Sequence, residues 1–434
     1  MTTLNFRPAV ALSGTVAVPP DKSLTHRAFL LAAVSDRAVT VDRPLDSEDT
    51  AATLQAVRLL GAGVQGDLAS RVVVTGRGLR GLTPPPMIDC ANAGTLMRLI
   101  TGLLVGQPGD WTLLDGDDSL RGRPMMRIAT PLRAMGAEIT TAEGGTPPMA
   151  VRCGVPLHGA THDLSVASAQ VKSCILLAGL FADGETWVRE PAPSRDHTER
   201  MLEACGVPLL RRDGMVGVRG PVASLSLPDM RVPGDFSSAA FALVAGVLRG
   251  DPEVCVTGVN LNPGRTGLLG VLGRMGADVR VEAGADVAGE PFGDVIVRRA
   301  GTLQATEVVA DEVPSMVDEL PLVGLLGALA AGTTVVRGAA ELRVKESDRI
   351  ATVVGLLSAI GANAQEREDG FTVTGAPTLR GGEVDAVGDH RLAMLGAIAG
   401  VVSEEGVTVR GFEASAVSYP GFASDMASIG VEYS

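Results

Sequence analysis

Six glycines set the frame of this 434-residue chain. Gly61, Gly136, Gly206, Gly276, Gly361 and Gly430 each follow apolar residues at helical spacing and precede a strand-like run. They stand 75, 70, 70, 85 and 69 residues apart. Glycine at such a place reads as a helix C-cap, where the chain adopts a left-handed conformation that other residues resist. A second marker keeps the same beat: AVTVDRP, DWTLLDG, ETWVREP, EVCVTGV, TTVVRGA and GVTVRGF are short β-branched runs. Before them lie RAFLLAAVS, LMRLITGLLVG, VKSCILLAGLFA, SAAFALVAGVL, LVGLLGALAAG and LAMLGAIAGVV. Apolar on most faces, these segments predict buried helices. The repeated unit is therefore buried helix, strand, loop, amphipathic helix, glycine and a strand pair. Such a period takes precedence over any local motif in deciding a fold. Asp213-Gly214 and Asp369-Gly370 read as hairpin turns.

Six units in a chain of this length predict two domains of three units each. The best crossover points are Ser226–Asp235 and the segment before Asp21. Residues 1–18 with 235–434 then form a discontinuous domain, and residues 19–234 an inserted one.

Helix starts carry the chemistry. The buried helices open with Asp21-Lys22-Ser23, Asn92-Ala93-Gly94-Thr95, Ser168-Ala169-Gln170, Asp235-Phe236-Ser237, Asp318-Glu319 and Asp389-His390-Arg391. The amphipathic ones open with Arg123-Pro124, Arg195-Asp196, Arg265-Thr266 and the run from Arg343 to Arg349. Nearly every start thus pairs a capping side chain with a cation. In that last run Lys345 and Arg349 flank Glu346 and Asp348, and Ser347 or Asp348 can cap the helix that follows. Cations oppose the helix dipole there, which points either to an anionic ligand or to a solvated salt-bridge face. Of 37 basic residues only Lys22, Lys172 and Lys345 are lysine. Lys22 and Lys345 read as functional, because an ammonium can donate a proton where arginine cannot. Lys172, inside an apolar helix, reads as structural or as a support behind the residues that touch a ligand.

A net charge of −13 argues against nucleic acid or an anionic membrane as the main partner, while leaving room for anionic small molecules at a local cluster of cations. The N-terminus lacks the regions of a signal peptide, and no apolar run is long enough to span a bilayer. Five scattered cysteines without CxxC spacing fit reduced cytoplasmic thiols. Gly76 to Gly81 matches GxGxxG, but Pro84-Pro85-Pro86 stands where a dinucleotide site needs a helix. Glycines 267, 270 and 273 read as helix packing, and His158 and His162 as loop residues. No metal site is expected.

PPDKSLTHR, DCANAGTLMR, GRPM, SAQVKS, SRDHTE, RVKESDR and DHRLAM, in this order, resemble the 5-enolpyruvylshikimate-3-phosphate synthase family over nearly the whole chain. The resemblance implies an α/β fold: a two-domain inside-out α/β barrel, each domain three βαβαββ units, with helix N-termini facing the interdomain cleft. It implies transfer of the enolpyruvyl group of phosphoenolpyruvate to the 5-hydroxyl of shikimate 3-phosphate, with no cofactor, in a cytoplasmic monomer. Asp318 would be the base on the hydroxyl, Glu346 would handle the proton at the methylene carbon, and Lys22 would assist. Shikimate 3-phosphate would be held by Lys22, Ser23, Arg27, Ser168, Gln170, Arg195, Asp318 and Lys345. Phosphoenolpyruvate would be held by Lys22, Gly94, Arg123, Gln170, Arg349 and Arg391, with Thr95, Arg98 and His390 behind them. The discontinuous domain would serve as the phosphoenolpyruvate and catalytic side, the inserted one as the shikimate 3-phosphate side. Glyphosate occupies the phosphoenolpyruvate subsite in this family, and Gly94 leaves that space open. The chain departs from some members at Ala169, where a serine is frequent, and at Val417-Ser418, where a lysine is.

Two alternatives stay open at this level. The enolpyruvyl transferase acting on UDP-N-acetylglucosamine shares the fold, but it typically has Asn at the position of Ser23 and a catalytic cysteine at that of Asp118. A non-catalytic phosphate-binding relative would leave Lys345, Glu346 and Asp318 without work.

Overall fold

The computed structural model describes residues 2–434, and the chain divides into two compact units. The discontinuous unit comprises the chain up to Pro19, Pro233–Ala285 and Pro291–Ser434; the inserted unit comprises Pro20–Val232 and Asp286–Glu290. That last excursion is absent from the sequence reading. It groups with the inserted unit because Val287 and Ala288 pack on that unit's core and His197 meets Glu290 at 2.8 Å, both side chains fully buried. Each unit has its own apolar core.

Each unit carries three small sheets of one design. In the inserted unit the first has spatial order Met230–Arg231, Ala38–Asp42, Arg71–Thr75, Gly63–Asp67: one parallel pair, then two antiparallel. The sheets around Trp111–Asp115 and Gly184–Arg189 repeat it. So do those around Gly250–Asn260 and Thr333–Val336 in the discontinuous unit. There the third sheet joins Gly382–Asp385, Val407–Arg410 and Thr3–Phe6. The chain's end completes it, the Asn5 and Arg7 amides donating to the Ser434 and Glu432 carbonyls. A parallel pair needs a crossover; in four of the sheets a small apolar helix supplies it, and two more such helices stand directly before the strands Ala38–Asp42 and Gly250–Asn260.

These helices are Lys22–Ala33, Gly94–Leu104, Ala169–Gly179, Phe236–Arg249, Leu320–Ala328 and His390–Val402. Their glycines let them lie hard against the following strands. A Cβ on Gly179 would come within 2.9 Å of Thr186, one on Gly246 within 2.9 Å of Val254, and one on Gly327 within 2.8 Å of Thr334. The six amphipathic helices end at the glycines of the repeat, with φ of 90°, 101°, 85°, 85°, 95° and 104° in chain order.

Four local expectations are met in part or corrected. Asp213-Gly214 is a two-residue hairpin loop, both residues at positive φ. The other loop is Glu368-Asp369, one residue earlier than expected, because Gly370 sits within the strand where its missing Cβ lets Val336 approach. His162 is not a loop residue: it is the inward position of strand Thr161–Asp163 and is buried. Gly267 packs against Ser315, but a Cβ on Gly273 would meet nothing, so only the first of those helix glycines is there for packing.

Candidate active site

In the inserted unit, three helix starts carry the predicted residues. Asp21 caps the first, accepting from the Leu24 amide at 2.9 Å. Lys22, the next residue, pairs with Asp49 at 3.1 Å. Burial works to raise the Asp49 carboxyl, and the Lys22 ammonium bonded to it outweighs burial, so the group lies below the usual carboxylate range. Arg27, one turn on, is buried. It donates to the Ser23 carbonyl at 3.0 Å, Thr198 Oγ1 at 2.8 Å and Ser173 Oγ at 3.1 Å. His26 meets Thr53 Oγ1 at 2.6 Å, and burial pushes its imidazole down to about 3, so it is neutral.

The Gly94–Leu104 helix has no side-chain cap. Asn92, which the sequence offers for that role, instead accepts from Arg123 Nη2 at 2.8 Å. Arg98 reaches both the Gly94 carbonyl at 3.2 Å and Gln170 Oε1 at 2.9 Å, and Gln170 Nε2 donates to Thr95 Oγ1 at 2.9 Å. These bonds lock the second helix start to the third, where Ser168 caps the Val171 amide. A Cβ on Gly94 would fall 2.7 Å from Arg98 Nη1 and 3.0 Å from Arg123 Nη1, so this glycine lies under two guanidinium groups. Arg195 is half-buried on the turn before helix His197–Ala204.

In the discontinuous unit everything converges on Arg349. Asp348 caps helix Arg349–Ala359 through the Ile350 and Ala351 amides, leaving Arg349 as its first residue. Its guanidinium is almost fully buried and meets three carboxylates: Asp389 at 2.8 and 3.2 Å, Glu346 at 2.7 Å and Asp318 at 3.3 Å. Asp318 does not cap a helix; its carboxylate faces Arg349, with Arg391 Nε at 3.8 Å. Burial works to raise the Glu346 carboxyl, but Arg349, His390 and Lys345 outweigh it and hold it well below the usual range. Asp389 is lowered the same way. Lys345 lies outside this helix, just after a 3₁₀ turn. The cation expected to await an anion at a helix start is therefore already matched by carboxylates of its own chain.

The sequence-predicted sets do not sort by unit. Lys22, Gly94, Arg123 and Gln170 belong to the inserted unit; Asp318, Lys345, Glu346, Arg349 and Arg391 belong to the other.

A family model for EPSP synthase (3-phosphoshikimate 1-carboxyvinyltransferase) matches residues 6–426. The chain belongs to the EPSP synthase family. Among its relatives, the 3-phosphoshikimate 1-carboxyvinyltransferase of Citrifermentans bemidjiense is 46% identical over 97% of this chain and 98% of its own length. That of Gloeobacter violaceus is 46% identical over 98% of each. The solved EPSP synthase of Acinetobacter baumannii superposes with a TM-score of 0.89 at 40% identity, all of both chains covered. The enolpyruvyl transferase NikO from Streptomyces tendae, 20% identical with a TM-score of 0.79, shares the fold.

For this EPSP synthase family member, sequence reasoning left two site residues without a role. Asp389 was legible only as a helix start, yet it grips Arg349 with both oxygens. Asp49, the partner of Lys22, is one of four acidic residues between Asp42 and Asp49. The signal for Asp389 is an acid at the head of a wholly apolar helix with arginine two residues on. Nothing in the spacing singles out Asp49.

Proposed function

We propose that the chain joins phosphoenolpyruvate to shikimate 3-phosphate by addition and elimination, giving 5-enolpyruvylshikimate 3-phosphate and phosphate. The observation that carries the chemistry is the convergence of Asp318, Glu346 and Asp389 on Arg349, with Arg391 beside Asp318. The 5-hydroxyl oxygen attacks C2 of phosphoenolpyruvate and gives its proton to Asp318. The methylene carbon takes a proton from the Glu346 side, forming a methyl group and a tetrahedral ketal. Phosphate then leaves as that methyl returns a proton to Glu346, with Lys22 assisting.

Glu346 cannot start as the acid while Arg349 holds it as a carboxylate. Arg349 has five N–H donors and four are engaged, leaving one on Nη1 for an incoming anion. Phosphoenolpyruvate drawn to Arg349, Arg391 and Arg123 competes with Glu346 for that guanidinium. Once released, the carboxyl is free to rise under its own burial. Substrate binding thus converts Glu346 from counter-ion to proton carrier.

The remaining assignments follow the same reading. Lys22, Ser23, Arg27, Ser168, Gln170, Arg195, Asp318 and Lys345 hold shikimate 3-phosphate; Lys22, Gly94, Arg123, Gln170, Arg349 and Arg391 hold phosphoenolpyruvate. Arg195 supplies the donor that Ala169 lacks. Each unit is an α/β barrel of three βαβαββ repeats, the inserted one centred on shikimate 3-phosphate and the discontinuous one on the chemistry. The enzyme works as a cytoplasmic monomer without cofactor, metal or nucleic acid, a reading supported by the net charge of −13 and five free cysteines. Among the described residues no helix is long and apolar enough to cross a membrane.

Turnover in D₂O tests the proton route. Deuterium should enter the product's methylene group, read by NMR, and the exchange should vanish in Glu346→Gln. Deuterium-free product from the parent protein would sink the addition–elimination route.

A further inference from the structure

Lys172 stands in an apolar helix with its side chain 4% exposed. A lysine so placed must be paired. Its Nζ sits 2.7 Å from Glu190 Oε2 and 2.8 Å from Glu199 Oε1, and donates to the Ser194 carbonyl at 3.3 Å. Both carboxylates are buried almost as deeply as the lysine. For stability alone, apolar side chains would serve as well as such a cluster. What they would not provide is an acceptor for neighbouring N–H and O–H groups.

Glu190 uses that capacity fully. Its Oε1 accepts from the Ser168 amide at 3.0 Å and Ser194 Oγ at 2.5 Å, and its Oε2 faces the Ser194 amide at 3.4 Å. Ser168 caps the helix that carries Gln170, and Ser194 immediately precedes Arg195. The neighbours of the other two cluster members complete the pattern. Ser173, beside Lys172, and Thr198, beside Glu199, bond each other at 2.7 Å and together receive the Arg27 guanidinium. Ser168, Gln170, Arg195 and Arg27 thus hang on one buried ion cluster, although Lys172, Glu190 and Glu199 belong to none of the residue sets assigned to the substrates.

We propose that Lys172, with Glu190 and Glu199, is a positioning device for the phosphate of shikimate 3-phosphate: it holds Glu190 where that carboxylate bonds both the Ser168 helix start and the Ser194–Arg195 turn. The proposal rests on the substrate assignment above. Without the ammonium, two buried carboxylates are left uncompensated, and Glu190 loses the partner that fixes its place. A Glu190 that shifts out of its bonds to both serines leaves the two anion-binding segments without their common anchor. Burial holds the Glu199 carboxyl above its usual range even with Lys172 present, which shows how little surplus negative charge this site tolerates.

Lys172→Met, of similar length and without charge, should raise KM for shikimate 3-phosphate about tenfold or more, KM for phosphoenolpyruvate by less because Gln170 is the one member of that set on the cluster, and change kcat less than about threefold. Adding Glu199→Gln restores the cluster's net charge and should recover most of that loss. A lysine that merely filled space would make the double variant worse than the single one. A folded Lys172→Met with unchanged KM for shikimate 3-phosphate, or a double variant without recovery, overturns the proposal. If Lys172→Met fails to fold, Glu190→Gln gives the second reading by calorimetric titration with shikimate 3-phosphate: about tenfold weaker binding supports the role, unchanged binding overturns it. A parent protein that neither binds nor turns over shikimate 3-phosphate sinks the substrate assignment and this role together. A competent parent matched by Lys172→Met sinks this role alone.

Discussion

Arg349 shows why residue type alone under-determines a site. Its charge reads as a ligand for anions, but in the fold it first holds Asp318, Glu346 and Asp389 together. Asp389 and Arg349 are both almost fully buried, so Asp389→Asn breaks the two-oxygen pair while Glu346 and Asp318 still face the guanidinium, and should cost about 1–3 kcal/mol in urea denaturation. Arg349→Gln tests the electrostatics of Glu346. Its carboxyl titration, followed by ¹³C NMR, should move upward, since burial then acts unopposed by Arg349. The sign for stability follows from a folded pKa held below the unfolded one. The pair contributes above the unfolded carboxylate value of about 4.3, and that contribution fades as pH falls further. The stability gap between parent and Arg349→Gln should therefore narrow in acid; a gap that widens below pH ~4 contradicts the assignment. At Gly94 the prediction is steric. A methyl group there would push against Arg98 and Arg123, both ends of flexible side chains, so Gly94→Ala should fold normally while glyphosate inhibition weakens about tenfold or more. Unchanged inhibition would remove Gly94 from the subsite.

At the scale of elements, the sequence was legible where physics is local. Helix periodicity, β-branched runs and cap glycines depend on near neighbours, and all six repeat glycines take positive φ. Two glycines separate backbone conformation from close packing. A Cβ on Gly206 would touch nothing, so Gly206→Ala carries only the left-handed backbone penalty, about 1 kcal/mol. A Cβ on Gly102 would lie 2.3 Å from the Cys174 carbonyl, inside the packing of helix Gly94–Leu104 on helix Ala169–Gly179. Gly102→Ala must part those helices, should cost about 1–3 kcal/mol or more, and should raise KM for both substrates by disturbing the Arg98–Gln170–Thr95 bonds. Comparable denaturation midpoints for the two variants would contradict this distinction. The sequence failed where partners are remote. Asp318 lies 31 residues from Arg349 and Asp389 lies 40. Asn92 looked like a cap because its type and place suit one; Arg123, brought to it by the fold, took its oxygen instead.

At the scale of the whole molecule, the assigned residues are divided between two units. The excursion Asp286–Glu290 was invisible to the sequence reading because its anchor, His197, is 93 residues away and nothing local marks the pair. The repeat was visible because it recurs along the chain. The most direct test of the central claim is phosphate release from phosphoenolpyruvate, run with shikimate 3-phosphate, with UDP-N-acetylglucosamine and with no acceptor. Release with shikimate 3-phosphate alone, abolished in Glu346→Gln and Asp318→Asn, is the predicted result. Release with the nucleotide sugar alone, or with neither acceptor, would contradict it.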